Sequence, residues 1–283
     1  MPDRGNIVAT KNELVGAVSS KIFGIVNLTP DSFSGSGEMM TPKKALERVL
    51  ALLAEGADFV DVGAESTRPG ALEVPEAEEW ERLRPSLELI EREGLISKIS
   101  VDTRKYNLMR RVAEMNVSFI NCVGPLPEQE ELRPLFSQHK KLGFIATHMH
   151  GSPETMQRNP LSPRSARRRV SAFFECSKDE LVTAGCEVQH VFLDPGIGFG
   201  KTDAANWALL LETRRLSSEY NVAIGVSRKG FIGRSLGGDL PSDRDSTSKL
   251  IEGAAVLAGA KMVRTHSVAP LIKFVRLLSE AQA

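Results

Sequence analysis

Short apolar runs rich in β-branched residues alternate with longer amphipathic segments along almost the whole chain. The apolar runs predict strands at 22–26, 59–62, 99–101, 119–120, 144–146, 191–193, 223–226 and 262–263. Amphipathic patterns predict helices at 42–54, 76–92, 106–114, 129–140, 163–184, 204–220, 246–257 and 269–281. Because each strand candidate is continuously apolar, we expect parallel strands that are buried on both faces.

About eight β-then-α units, with no low-complexity linker between them, predict a closed (β/α)8 TIM barrel of the α/β class. We expect one barrel domain over 22–283, preceded by an N-terminal extension or short hairpin at 1–21. The length does not require a second domain, since such barrels routinely reach about 250 residues. The alternative is a doubly wound open sheet, which is disfavoured because no Gly-x-Gly-x-x-Gly follows the first strand.

The composition excludes several classes of function. Lys and Arg number 36 and Asp and Glu also number 36, so bulk charge does not favour nucleic acid or a membrane surface as a partner. The first 21 residues have no signal-peptide core, and no stretch reaches the roughly 18 apolar residues of a membrane span. The cysteines are too few and too irregularly spaced for a disulfide framework or a zinc site. We therefore expect a cytoplasmic protein.

Polar side chains follow every predicted strand. In chain order they are Asn27, Asp61, Glu65, Asp102, Asn121, His148, Asp194, Ser227, Arg228, Lys229, Arg264 and His266. A single Asp or Asn in such a place is most simply a helix cap or a turn residue. A barrel, however, brings all the strand ends to one face, where active sites of this fold are built.

This ring contains two kinds of chemistry. Its carboxylate and amide groups, on Asp102, Asn121 and Asp194, could pair with the edge of a nitrogen-rich heterocycle. Its cationic and donor groups suit an anion such as phosphate; they are Arg68, Lys229, Arg264 and His266. The chain has no His-Glu-x-x-His, Cys-x-x-Cys or Walker motif, which disfavours zinc hydrolysis and P-loop phosphoryl transfer.

Motifs occur in a fixed order along the chain. They read Ile-Val-Asn-Leu-Thr-Pro-Asp-Ser-Phe-Ser at 25–34, Glu-Ser-Thr-Arg-Pro-Gly at 65–70, Ser-Val-Asp-Thr at 100–103, His-Met at 148–149, Gly-Ser-Pro at 151–153, Leu-Asp-Pro-Gly-Ile-Gly-Phe-Gly-Lys at 193–201 and Ser-Arg-Lys at 227–229. In order and spacing they resemble the signatures of the dihydropteroate synthases, the folate-pathway enzymes inhibited by sulfonamides. The resemblance extends from residue 22 to residue 266.

The resemblance implies a reaction. Enzymes of this family condense 6-hydroxymethyl-7,8-dihydropterin pyrophosphate with p-aminobenzoate, giving 7,8-dihydropteroate and pyrophosphate with the assistance of Mg²⁺. The leaving group departs first, and the arylamine captures the resulting pterin-stabilised cation. Cationic groups can stabilise the departing anion, while Asp102 and Asp194 favour the emerging cation. No nucleophile from the protein is needed.

The resemblance also implies roles for individual residues. The catalytic residues would be Asp102, Asp194, Lys229, Arg264 and His266. The pterin pocket would be formed by Asp102, Asn121, Asp194, Lys229 and Phe199. Pyrophosphate would be bound by Asn27, Arg68, Arg264 and His266, with Mg²⁺ at Asn27. The p-aminobenzoate pocket would be formed by Phe33, Thr67, Pro69, Phe199, Lys229 and Gly230, the last at a helix start that suits a carboxylate. The glycine-containing loops after Asn27 and Glu65 would close as lids.

Three places depart from the family pattern. Cys122 stands where an acid usually follows the asparagine of the fourth strand, and Ser267 stands where an acid usually follows the last histidine. The first loop reads Ser-Gly-Ser-Gly at 34–37 instead of Ser-Asp-Gly-Gly. Asp61 is expected to have a structural role, bonding to the 65–70 loop.

Two other functions remain as alternatives. One is a pterin-dependent methyltransferase on the same barrel, which would have no use for the Ser-Thr-Arg-Pro-Gly loop or the Arg264 and His266 anion site. The other is a non-catalytic pterin-binding homologue, which the loop departures favour. The resemblance further implies a homodimer formed through the later helices.

Overall fold

The computed structural model describes residues 20–29, 40–237 and 244–281. Within these ranges eight parallel strands form one sheet. They are β1 (Lys21–Asn27), β2 (Phe59–Gly63), β3 (Ile99–Asp102), β4 (Phe119–Val123), β5 (Gly143–Thr147), β6 (Val191–Asp194), β7 (Ala223–Gly225) and β8 (Met262–Thr265). The predicted extension at 1–21 lies almost wholly outside the described residues, and β1 begins one residue before the expected domain boundary.

Helices connect the strands. Those in the described ranges are α1 (Pro42–Ala54), α2 (Glu76–Arg92), α3 (Tyr106–Glu114), α4 (Gln129–Gln138), α5 (Pro163–Ala184), α6 (Asp203–Leu211), α7 (Thr213–Ser217), α8 (Gly230–Ser235), α9 (Arg244–Leu257) and α10 (Val268–Glu280). None of the helices in the part of the chain described here is long and apolar enough to cross a bilayer.

The strands pair in the order β6-β5-β4-β3-β2-β1-β8-β7. The sheet closes at a seam between β6 and β7, where an isolated parallel bridge joins Leu193 to Val222. At this bridge the Leu193 amide donates to the carbonyl of Asn221 at 2.9 Å. The predicted single-domain (β/α)8 barrel is therefore confirmed, with its seam held by fewer strand hydrogen bonds than the other pairs.

The inner and outer sides of the strands differ in chemistry. Outward residues such as Val60, Val62 and Ile120 are completely buried in the core between the sheet and the helices. Inward residues of the amino-terminal half of the barrel form a separate cluster centred on Phe119, whose ring lies 4.9–5.8 Å from those of three other phenylalanines. The barrel interior thus has an apolar floor, and any polar site must lie above it, towards the carboxyl ends of the strands.

Several local features agree with the sequence. Thr41 caps α1, its hydroxyl accepting from the Lys44 amide at 3.3 Å, and Pro42 is the first helical residue. Gly185 ends α5 with a φ of 107°.

Other boundaries differ from prediction. The helix expected at 204–220 is divided into α6 and α7, which meet at Glu212. α8 begins at Gly230, where the family resemblance implied a helix start, although the amphipathic pattern did not predict it because the helix is short and contains two glycines.

Candidate active site

The carboxyl ends of the strands bring the predicted polar residues to one end of the barrel. Asn27 and Asp102 end β1 and β3, Asn121 lies in β4, Asp194 ends β6 and Arg264 lies in β8. Strand register places Asp102 beside Asn121 and opposite Gly63. The side chains of Asn121, Asp194 and Arg264 point into the barrel above the phenylalanine floor, since the residues two positions earlier, which are Phe119, Phe192 and Met262, belong to that floor.

Asp61 lies at the centre of this layer, which corrects the expectation that it bonds to the 65–70 loop. Its side chain is 1% exposed, and its carboxylate accepts from Ser100 Oγ at 2.5 Å, from Asn121 Nδ2 at 3.2 Å and from Arg264 Nη2. The physical reason is strand alternation: Val60 and Val62 face the helices, so Asp61 must face the barrel interior. A buried carboxylate needs such donors.

Asp102 shares Arg264 with Asp61, its Oδ2 lying 3.4 Å from Nη2 of the arginine. Burial and the negative charge of Asp61 raise the pKa of Asp102 to about 7, although Arg264 opposes the shift. Two carboxylates beside one guanidinium leave a net negative charge in a partly dry pocket. This is a suitable environment for a cation or for a ligand that carries N–H donors.

The amide of Asn121 is oriented by two neighbours. Its Nδ2 donates to Asp61, while its Oδ1 accepts from Thr147 Oγ1 at 3.4 Å. With that orientation fixed, one N–H and one oxygen lone pair of the amide are left over. Asn121 is completely buried.

Asp194 stands across the barrel at the end of β6. Its carboxylate is buried and accepts from the Gly196 amide at 2.7 Å. Burial raises the pKa of Asp194, while the Lys229 charge and the Gly196 bond act in the opposite direction. The second carboxylate oxygen, Oδ2, faces β7, where a Cβ on Gly225 would lie 3.6 Å from it.

Lys229 follows β7 and reaches the same region. Its ammonium group donates to the Ile197 carbonyl and lies 4.4 Å from the centroid of the Phe199 ring. Burial lowers the pKa of Lys229 to about 8, and Asp194 opposes the shift. Gly230 follows as the first residue of α8. Lys229, Phe199 and Asp194 are thus brought together, as the predicted site requires.

His266 and Asn27 form a neighbouring group. The Nε2 of His266 lies 3.5 Å from Asn27 Nδ2, and its Nδ1 lies 3.0 Å from Ser227 Oγ. Burial lowers the pKa of His266 to about 3, so the imidazole is neutral near pH 7. The hydroxyl that orients the His266 ring therefore belongs to Ser227. Ser267 contacts Thr265 through its backbone carbonyl, which accepts from the Thr265 hydroxyl.

Helix α1 supports the backbone around His266. Arg48 Nη2 donates to the His266 carbonyl at 2.7 Å and its other terminal nitrogen lies 3.6 Å from Glu55. Glu55 in turn accepts from the first amides of α10, those of Val268 and Ala269, at 3.2 and 3.1 Å. The carboxylate of the residue that follows α1 therefore caps α10, and no acid stands at position 267.

The loop between β2 and α2 is anchored by Glu65. That carboxylate accepts from the Val74 amide at 2.8 Å and from Arg104 Nε at 3.1 Å, and it pairs with Lys105 at 3.2 Å. Burial alone would raise the pKa of Glu65, but these partners lower it.

The residues after Glu65 reach outward. Thr67 is half-buried, whereas Arg68 and Pro69 are exposed. The Gly70 amide donates to the Pro153 carbonyl at 2.9 Å, which joins this loop to the one after β5. The structure thus places Arg68 at the rim, apart from the central cluster, where it could reach a ligand that enters the barrel.

Phe33 and the glycine-containing loop at 34–37 lie outside the described residues. Among those described, sequence reasoning missed the central place of Asp61, the orienting hydroxyl of Ser227 and the buried ammonium of Lys201. Asp61 could have been found from its alternation with two valines. Lys201 ends the Gly-x-Gly-x-Gly-Lys run, and a lysine in so apolar a run is a signal of a buried charge.

The chain matches the family model described as "Pterin binding enzyme" over residues 23–266. The chain belongs to the pterin binding enzyme family. A relative within it, the dihydropteroate synthase of Neisseria meningitidis serogroup C, is 38% identical over 258 residues, which are 90% of each chain. The dihydropteroate synthase of Haemophilus influenzae is 38% identical over 88% of this chain and 89% of its own.

Solved structures of this family have the same fold. The Yersinia pestis dihydropteroate synthase with a sulfonamide drug complex superposes with a TM-score of 0.82 at 31% identity, covering 100% of this chain and 98% of its own. The Xanthomonas albilineans enzyme in complex with 7,8-dihydropteroate gives a TM-score of 0.79 at 31% identity, covering 93% and 94%. The resemblance inferred from the motifs is therefore confirmed, and the pterin-dependent methyltransferase is disfavoured.

One departure of this pterin binding enzyme from the family pattern lies away from the pocket. Cys122 is completely buried on the helix-facing side of β4, opposite in direction to Asn121, and its thiol donates to the Pro125 carbonyl at 3.5 Å. Burial raises the pKa of Cys122 to about 12. The substitution therefore leaves the polar layer of the barrel unchanged.

Proposed function

We propose that this chain is an active dihydropteroate synthase that condenses 6-hydroxymethyl-7,8-dihydropterin pyrophosphate with p-aminobenzoate and releases pyrophosphate. The observation that carries the proposal is the convergence of Asp102, Asn121, Asp194 and Lys229 above the apolar floor of a barrel of this family. A non-catalytic pterin binder could share these four residues, but it would have no use for the neighbouring Arg264 and His266, which are assigned to the departing pyrophosphate. As a transferase of folate biosynthesis it is proposed to be a target for sulfonamides, because the Yersinia pestis relative was solved with a sulfonamide drug complex.

Pterin recognition uses the fixed hydrogen-bonding groups of the layer. Asp194, with one oxygen held by Gly196, accepts from the aminopyrimidine edge through the other. Asn121 offers its remaining N–H and oxygen lone pair, and Lys229 donates to a ring oxygen or nitrogen. Because Asp61 and Thr147 fix the Asn121 amide, its donor and acceptor are presented in one order only.

Negative charge develops at the rim as pyrophosphate departs. Arg264 and Arg68 supply positive charge, and the neutral imidazole of His266 supplies a hydrogen bond instead of a charge. The cation left on the pterin lies near Asp102, whose carboxylate stabilises it once ionised. The arylamine then captures this cation, so the protein forms no covalent intermediate.

Asn27 is the residue that would hold Mg²⁺. An amide oxygen is a hard ligand of the kind Mg²⁺ prefers, and this ion usually keeps several waters and binds few protein groups besides substrate phosphates. The half-exposed place of Asn27 at the end of β1, beside His266, fits such a site. When bound, Mg²⁺ would neutralise charge on the pyrophosphate.

The p-aminobenzoate would lie between Lys229 and the rim. Phe199 offers a ring face, Thr67 and Pro69 lie on the loop after β2, and Gly230 begins α8. Phe33, which lies outside the described residues, is proposed for this pocket from the family resemblance alone. The amine must approach the carbon that loses pyrophosphate, so this pocket has to adjoin the pterin site. Placing Lys229 and Phe199 in both pockets satisfies that requirement.

We further propose a cytoplasmic homodimer formed through the later helices. Leu250 and Leu257 of α9 and Leu277 of α10 are exposed large apolar residues, of the kind that a second copy would cover. Sedimentation velocity would give the mass of a dimer, and Leu250→Glu with Leu277→Glu would give a monomer. A wild-type monomer at micromolar concentration would contradict this arrangement.

The deciding experiment is pyrophosphate release by the purified protein with the dihydropterin pyrophosphate and Mg²⁺, with and without p-aminobenzoate. Release that depends on p-aminobenzoate, with dihydropteroate as product, supports the proposal. Pterin binding without turnover would instead support the non-catalytic homologue. A chelator control, reversed by added Mg²⁺, tests the metal separately.

A further inference from the structure

Lys201 is an ionisable side chain in the interior of the protein, where burial lowers its pKa to about 7 and the four acceptors around the amine favour the protonated form. It is 2% exposed, and its ammonium group has four neutral acceptors within reach. These are the Gly196 carbonyl at 2.8 Å, His148 Nδ1 at 2.9 Å, the Phe199 carbonyl at 3.0 Å and the His148 carbonyl at 3.4 Å. A buried ammonium group must be compensated by acceptors. The interaction therefore fixes the position of these carbonyl groups and of His148 as well as the position of the lysine.

The acceptors belong to the loop that carries the site. Asp194 begins it, Phe199 lies near its end, and Gly196, Gly198 and Gly200 alternate along it with φ values of 66°, 88° and 66°. A Cβ on Gly196 would lie 1.8 Å from the His148 carbonyl. Only glycine allows this close approach with this backbone conformation.

Because glycines with positive φ alternate with other residues in this loop, its successive carbonyl groups point in different directions. Those of Gly196 and Phe199 point to Lys201, while that of Ile197, between them, accepts from Lys229. The Gly198 amide donates to Asn206 Oδ1 at 2.7 Å. One loop is therefore fixed between a lysine buried behind it and a lysine of the candidate site in front of it.

We propose that Lys201 is a positioning residue for the reaction: its ammonium group acts as an internal cation that fixes the 194–200 loop and so places Phe199 and, through the Ile197 carbonyl, Lys229. This inference rests on the proposed function, because it assigns the loop a task in binding both substrates. Lys201 itself does not touch substrate, since its ammonium group is enclosed by loop carbonyls and His148.

The first test is Lys201→Met, which keeps most of the side-chain length and removes the charge and the donors. We expect the KM for both substrates to rise about 10- to 100-fold, as misplacement of binding groups by about 1 Å does, with a smaller change in kcat. Lys140→Met, at an exposed lysine just after α4, is the matched control and should behave as wild type. Wild-type turnover, measured first, tests the proposed function on its own.

The second test is chemical rescue. Lys201→Ala removes the atoms of propylammonium and leaves the carbonyl oxygens around a cavity. We expect added propylammonium chloride to restore a measurable part of the lost kcat/KM, with saturation, whereas tetramethylammonium chloride at the same ionic strength restores none. A role confined to filling space would not distinguish the two ions.

A third variant guards against loss of folding at position 201. Asn206→Leu releases the Gly198 amide of the same loop without removing a charge, and it should also raise the KM values. The inference is overturned if Lys201→Met lowers the melting temperature but leaves both KM values unchanged. It is equally overturned if folded Lys201→Ala shows no response specific to propylammonium.

Discussion

The carboxylate of Asp61 accepts a hydrogen bond from the guanidinium of Arg264, so that strands β2 and β8 are joined across β1 at the mouth of the barrel. The same carboxylate accepts hydrogen bonds from the Ser100 hydroxyl and the Asn121 amide. One buried acid therefore orients an amide assigned to pterin binding and a cation assigned to the leaving group.

Replacing Asp61 tests this relationship. Asp61→Asn keeps the shape but leaves the Arg264 charge with only Asp102 as its partner. Breaking a buried ion pair in this way costs about 3–5 kcal/mol of unfolding free energy. We expect a lower melting temperature and a kcat/KM reduced about 100-fold. The double variant Asp61→Asn with Arg264→Met should regain stability but not activity. Recovery of activity in the double variant would contradict the assigned roles, and Glu88→Gln on the exposed side of α2 is the control.

The pH dependence of the rate follows from buried ionisable groups, among which Lys201, whose pKa burial lowers to about 7, adds to the basic limb. Asp102 has a pKa of about 7 and ionises as the pH rises, which favours the pterin cation, whereas Lys229 loses its proton above about 8. The profile of kcat/KM should therefore be bell-shaped, with limbs near these values. Asp102→Asn should abolish the acid limb. His266, with a pKa of about 3, contributes no limb in this range, so persistence of the acid limb in Asp102→Asn would contradict the assignment.

Asp102 also makes stability depend on pH. Its folded pKa of about 7 lies above the ordinary 3.8, so the unfolded chain releases this proton first. The contribution of Asp102 to the free energy of unfolding is present below about pH 4 and is lost as the pH rises towards 7. Urea unfolding of wild type and Asp102→Asn at pH 5 and pH 7 should show a smaller pH effect in the variant.

Lys229→Ala and Asp194→Ala should each lose most of the activity while the fold is retained. Each variant removes a group proposed to pair with the pterin edge and leaves the charge of the other group in a poorly solvated place. Circular dichroism should show an unchanged helical spectrum, and titration calorimetry should show weaker pterin binding. Turnover near the wild-type rate in either variant would disprove the site assignment.

Two glycines with similar backbone conformations should respond differently to alanine. Gly196 has a φ of 66° and a Cβ there meets the His148 carbonyl at 1.8 Å, whereas Gly94 has a φ of 71° and a Cβ there meets nothing within 4 Å. Gly94→Ala should cost about 1 kcal/mol from backbone conformation alone. Gly196→Ala should cost more and should also abolish activity. Equal melting temperatures for the two variants would show that the loop can move aside.

Cys122 should be unimportant for the chemistry. Its thiol is buried on the helix side with a pKa of about 12, and Cys186 is also buried, whereas Cys176 is exposed. We expect Cys122→Ala to keep kcat/KM within about twofold, since it acts at most through stability. Ellman's reagent should label one thiol of the native protein, and Cys176→Ser should remove that signal. A large catalytic loss in stable Cys122→Ala would give the thiol a role.

Much of the fold followed from local pattern. Strands buried on both faces produce continuous apolar runs, and each of the eight was found at its predicted place, with boundaries shifted by up to three residues. The split of α6 from α7 was not predictable, since the amphipathic pattern continues through Glu212. The family's motifs located the polar residues at the strand ends for the same reason: their positions depend on spacing along the chain.

What the sequence left out depends on contacts between distant segments. Asp61 and Arg264 are 203 residues apart, and Glu55 caps a helix more than 200 residues later. Hydrogen bonds of this kind depend on the register between strands, which no local pattern specifies. The lowered pKa values of His266 and Lys201 likewise depend on burial, which appears only when the barrel is closed.

The seam between β6 and β7 is flanked by two residues of the candidate site. Asp194 ends the strand on one side, and Lys229 follows the strand on the other. A pterin bound by both residues would link the two edges of the sheet. At this seam the backbone bridge joins Leu193 to Val222. The bound ligand would then stabilise the closed form of the barrel that binds it. Amide hydrogens near the seam would exchange more slowly as the pocket fills.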